Sequence, residues 1–158
     1  GVALRPTGFC NVNELFEVPA EQADAIEVIR GPANALYGSN AVHGTLNVIL
    51  PTPGAQPGWL ASAQLGPNDY YRARLRWDSG PGDDALVAGL VYDDDGGFRV
   101  DSGYRQVKAY AKLRRQLAAG VLELAASGNG LDQETAGFIV GEDSYKDEAL
   151  RLTNPNPE

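Results

Sequence analysis

Residues 26–51 read IEVIRGPANALYGSNAVHGTLNVILP, and the reading of this stretch decides the fold. Residues 25–30 alternate as a strand, with Ile26 and Val28 on one face and Glu27 and Ile29 on the other. Gly31-Pro32 ends it, because proline offers no N–H to a ladder and restricts the residue before it. Residues 33–37 then fit a helical turn, Gly38 and Gly44 bracket the return, and residues 45–50 form a second strand. A phosphate-binding loop fails on spacing. Gly31, Gly38 and Gly44 are too far apart for a dinucleotide fingerprint, which packs three glycines into six positions, and no GK[ST] follows for a P-loop.

Upstream, Asn13 can cap a short helix through Leu15 and Phe16, and Pro19 suits the first turn of another over residues 20–23. Downstream, PTPGAQPG at 51–58 holds three prolines and two glycines and cannot continue a paired strand. It divides the chain into residues 1–50, a linker over 51–58, and residues 59–158. In the last unit the periodicity changes to hairpins. Strands are expected at 59–66, 70–77, 85–92, 105–116 and 121–130, followed by a long polar segment from residue 131.

The strand faces differ in kind. In YYRARLRW, Tyr71, Ala73, Leu75 and Trp77 fall on one side and Arg72, Arg74 and Arg76 on the other. In VKAYAKLR, Val107, Ala109, Ala111 and Leu113 oppose Lys108, Tyr110, Lys112 and Arg114. Glu123 is the single acid within the five expected strands, and every other acid of this half is expected in a connection or in the tail. A half-buried soluble sheet alternates in the same way. Connection lengths tip the balance, because after the first hairpin the long ones fall at one end and the tight LAAG turn at the other, as in outer-membrane barrels. Such barrels point apolar side chains at lipid and polar ones into the lumen, where Arg72, Arg74, Arg76, Lys108, Lys112 and Arg114 would then lie.

The chain of 158 residues carries a formal charge of −8, contains no Met and begins at Gly1, and its loop-like end TNPNPE suggests a piece of a larger protein. The acidic balance disfavours nucleic acid, and the basic stripe shares its face with one aromatic, Tyr110, where base stacking would want several. No apolar run reaches the length of a transmembrane helix, which leaves barrels open.

The stretch that opens this section resembles the end of the plug domain of TonB-dependent outer-membrane receptors, whose pattern IEVxRGPxxxLYGxxAxxGxINxI is matched here by IEVIRGP, ALYGSNAVHG and TLNVI in order and spacing. Leu46 stands where isoleucine or valine is usual, and Leu50-Pro51 where Thr often occurs. The resemblance covers residues 8–51, and the strands beyond fit the first part of the family's barrel. It implies a mainly β fold: a small α/β plug segment followed by antiparallel hairpins of an incomplete transmembrane barrel. It also implies Glu27, Arg30, Gly31, Pro32, Tyr37, Gly38, Gly44 and Asn47 as plug-motif residues, with Glu27 and Arg30 in polar contacts holding plug to barrel. The implied role is energy-coupled uptake of a scarce large solute, such as an iron–siderophore, haem, cobalamin or a carbohydrate. The implied partners are outer-membrane lipid and a TonB-type energy-transducing complex, engaged through a region outside this chain.

Other candidate chemistry is thin. His43 has no Ser, Cys or carboxylate at a triad or zinc spacing, and Cys10 stands alone as a small side chain. DDDGG at 93–97 lacks the ligand order of a calcium loop and reads as a solvated loop tip. No enzyme, cofactor or metal site is expected. A passive porin-like channel and a soluble β-rich binding module are the rival readings.

Overall fold

The computed structural model describes residues 18–31 and 44–155. The expected cap at Asn13, the helical turn at 33–37, Cys10, Pro32, Tyr37, Gly38 and His43 lie outside the described residues. A short 3-10 turn, Ala20–Gln22, follows Pro19 and leads into strand β1, Ala25–Arg30, which pairs antiparallel with β2, Gly44–Ile49. The register sets Glu27 opposite Asn47 and Arg30 opposite Gly44. Gly44 has φ of +155° and a Cβ there would sit 2.7 Å from the Ile29 carbonyl oxygen, so close backbone approach explains this glycine.

A five-stranded antiparallel meander makes up the rest: β3 Gly58–Leu65, β4 Tyr71–Asp78, β5 Asp84–Asp95, β6 Tyr104–Leu117 and β7 Gly120–Gln133, paired in chain order. The expected strands are all present. β5, β6 and β7 run longer than their apolar alternation, and β6 and β7, at 14 residues each, exceed the 9–11 residues that a tilted strand needs to cross a bilayer core. The 66–70 and 96–103 connections and the segment after Gln133 share one end, where the Gly96 amide donates to the Asn68 carbonyl at 2.8 Å and that of Glu134 to Gly103 at 2.9 Å. The linker, the 79–83 turn and the tight 118–119 turn share the other.

One expectation is overturned here. Asp93, Asp94 and Asp95 are not a loop tip but the end of β5, and Asp78, Asp84 and Asp132 are also inside strands. Asp93 is only 1% exposed, and its charge is tolerated because the register brings Arg72 opposite it. A cross-strand cation offsets the desolvation that would otherwise end the strand at Tyr92.

The two faces of the meander are chemically distinct. On one, Val87 and Val91 of β5 are buried between the cationic rows of β4 and β6. On the other, Trp59, Leu65, Leu75, Leu90, Val107 and Leu124 are exposed. Trp59 and Trp77 are register partners with ring centroids 6.1 Å apart near one end of that apolar face, and Tyr71 and Tyr92 lie 6.2 Å apart near the other. Among the described residues no helix is long and apolar enough to cross a membrane.

Candidate functional site: a strap seated on a cationic sheet face

Residues 18–24, the strap, lie across the polar face of β4, β5 and β6. Alternation along β4 puts Arg72, Arg74 and Arg76 on that face, and the register adds Asp93, Val91 and Gly89 of β5, then Gln106, Lys108, Tyr110 and Lys112 of β6. Glu21 is the centre of the contact. Its Oε1 lies 2.8 Å from Lys108 Nζ and 3.8 Å from Arg72 Nη2. Lys108, almost fully buried, also donates to the Val18 carbonyl at 3.2 Å, and Arg74 Nη1 donates to the Glu21 carbonyl at 2.7 Å. Arg72 also pairs with Asp93 and lies 5.7 Å over the Tyr70 ring. Burial raises the Tyr70 phenol pKa, against the opposing pull of the Arg72 charge.

Beside this ionic cluster, Gln22 is buried and its amide donates to the main-chain carbonyls of Leu90 at 2.9 Å and Leu75 at 3.3 Å. Asp24 pairs with Arg76 Nη1 at 3.3 Å. A cleft of about 80 Å³ between the strap and Leu60, Arg74 and Arg76 is far too small for a large solute.

The linker is held at the turn end. Asp78 is 3% exposed and its carboxylate accepts from the amides of Gly54 at 3.0 Å, Gln56 at 3.2 Å and Gly80 at 2.7 Å. Lys112 donates to the carbonyls of Pro51 at 2.9 Å and Leu50 at 3.4 Å, and Arg76 reaches Gln56. The Pro/Gly linker is thus clasped by three side chains of the sheet.

The sequence-expected residues are distributed as follows. Arg72, Arg74, Arg76, Lys108 and Lys112 converge on the strap and linker. Arg114, more exposed, pairs with Glu123 of β7 at 3.9 Å. In the β1–β2 hairpin, Asn47 Nδ2 donates to Glu27 Oε2 at 3.0 Å, and Arg30 is exposed at the end of β1 beside Gly31, whose φ is +85°. Sequence reasoning missed Glu21, Gln22 and Asp24, which face the sheet, and Asp78, which holds the linker at the end of β4. It also missed Arg99, whose guanidinium donates to the carbonyls of Gly137 at 2.8 Å and Thr153 at 2.7 Å and so ties the 96–103 loop to the tail. No local signal marks these residues, since EQAD is an ordinary polar turn until the sheet is placed against it. Among the described residues no group of three or more His, Cys, Asp or Glu could hold a metal ion.

Among the described residues, a strap is seated on the cationic face of the meander and the opposite face is apolar and exposed. Residues 3–45 match the family described as the TonB-dependent Receptor Plug Domain, so the N-terminal part of the chain is similar to the plug domain of those receptors. No solved structure matches the chain.

Proposed function

We propose that residues 1–50 are the C-terminal part of the plug, 51–58 the linker and 59–158 the first strands and loops of the barrel of a TonB-dependent outer-membrane receptor. In this reading the protein takes up a scarce large solute, such as an iron–siderophore, haem, cobalamin or a carbohydrate, using energy delivered by a TonB-type complex. The observation that carries it is the seating of Glu21 between Lys108 and Arg72 on a sheet whose other face exposes Trp59, Leu75 and Leu90. A barrel wall needs an apolar outside and a polar inside, and a plug needs charge partners on that inside. Arg72, Arg74, Arg76, Lys108, Lys112 and Arg114 would then line the lumen, and Glu27, Arg30 and Asn47 would belong to the plug motif.

A passive channel would have no use for the strap and its dedicated partners. A soluble module would leave the apolar face uncovered. The test is fractionation of cells expressing the full-length protein, with heat-dependent gel mobility as the sign of a folded barrel, and solute accumulation with and without the energy-transducing complex. Recovery in the soluble fraction without detergent would overturn the reading.

A further inference from the structure

We propose that Gln22 and Gly89 form the keyed seat that fixes where the strap sits on the sheet, making Gln22 a positioning residue for closing the lumen; the lumen part rests on the receptor reading above. Gly89 lies in the middle of β5 with Arg76 opposite on β4 and Tyr110 opposite on β6. A glycine there weakens a strand, and its φ is not among the left-handed values that would require one. Space is the remaining reason. A Cβ at position 89 would run into the Tyr110 ring and come within 2.8 Å of Gln22 Oε1. The missing side chain is the notch into which the Gln22 amide fits.

The amide is matched to the notch. Its Nε2 donates to Leu75 and Leu90, which are register partners on β4 and β5, so one side chain reads a single height on two strands. Sliding the strap by one residue would bring Glu21 or Ala23 to the notch, and neither can donate from its side chain. Position is therefore set by a neutral contact, whereas the surrounding pairs of Glu21 and Asp24 with Arg72, Lys108 and Arg76 supply attraction that salt weakens.

The experiment compares the full-length protein with Gln22→Ala, Gln22→Glu and Gly89→Ala, following amide hydrogen exchange at Ala20, Gln22, Ala23 and Asp24. Losing the two bonds should speed exchange there about tenfold, in low and high salt alike, while β3 to β7 keep their rates. Passive entry of a hydrophilic probe too large for general porins should rise in parallel. Should Gly89→Ala fail to assemble, Gln22→Ala, which leaves the sheet untouched, decides. Unchanged exchange over the strap in Gln22→Ala, acceleration spread evenly over the sheet, or faster exchange without greater probe entry would each overturn the proposal. A protein recovered outside the membrane would overturn the receptor reading instead, and strap exchange would still decide the seat.

Discussion

Glu21 Oε1 sits 2.8 Å from Lys108 Nζ although the two residues are 87 positions apart in sequence, and this pair joins the strap to the sheet. The Lys108 side chain is 5% exposed and that of Glu21 16%. A lysine so buried needs its partner, because an ammonium withdrawn from water without a counter-charge costs several kcal/mol.

Removing the carboxylate should accordingly release the strap. Glu21→Ala leaves Lys108 with the Val18 carbonyl, and Arg72 with Asp93. The expected loss is about 2–4 kcal/mol of strap docking. A double-mutant cycle with Lys108→Met, read by strap hydrogen exchange in the full-length protein, should give a coupling above about 1 kcal/mol. A coupling near zero would mean that the pair is incidental.

Asp78 is expected to control the linker. Asp78→Ala deprives the Gly54, Gln56 and Gly80 amides of their acceptor, and the stretch from Leu50 to Pro57 should open to protease with a cost of about 2–3 kcal/mol. Asp78→Asn keeps one acceptor oxygen and should show a smaller effect. If both variants resist cleavage as well as the native protein, the clasp is held by Lys112 and Arg76 instead.

These two sites also show what the sequence could and could not reveal. Strands were legible because alternation and Gly/Pro turns are local, and β1 and the hairpins appear where 25–30 and the later periodic runs placed them. The cations were legible for the same reason. Their partners were not, since Glu21 meets Lys108 only through the register of β5 on β6 and the placement of the strap. Asp93 reads as loop because a run of three acids does not propagate a strand by itself, and its partner Arg72 lies on the neighbouring strand.

The two faces predict opposite tolerance to charge. Leu75 is 41% exposed and points away from the strap, so in the receptor reading Leu75→Arg would place a guanidinium on the lipid side at a cost of about 2–4 kcal/mol near the midplane. The folded, heat-modifiable fraction recovered in membranes should fall. Arg74→Leu, on the strap side, should insert normally and lose only its bonds to Ser62 and the Glu21 carbonyl. Equal behaviour of the two variants would contradict the assigned faces.

Arg99 is expected to govern the order of the segment after Gln133. It joins the 96–103 loop to Gly137 and Thr153, and the Val100 amide adds a bond to the Leu152 carbonyl at 3.0 Å. In the receptor reading these lie outside the cell. A cysteine introduced at Asp143 should therefore label with an impermeant reagent on intact cells, and faster when Arg99→Ala is added. Protection from labelling, alongside a known outer loop that labels, would invert the topology.

The last expectation concerns the 158-residue chain on its own. Among the described residues β3 and β7 are the edges of an open sheet, each presenting one unpaired row of backbone groups, and Trp59, Leu65 and Leu124 are exposed on the apolar face. Unpaired edges beside bare apolar surface drive strand-to-strand association in water, and lipid does not tolerate them either. The isolated chain should thus aggregate or stay partly unfolded without detergent. The β1–β2 hairpin, whose register is set within a short span of sequence, should outlast the meander, which needs further strands to close. Size-exclusion chromatography with circular dichroism on the isolated chain measures this directly. A sharp monomer that melts cooperatively in plain buffer would mean that the apolar face is covered by the chain itself, and would favour a soluble module over a barrel wall.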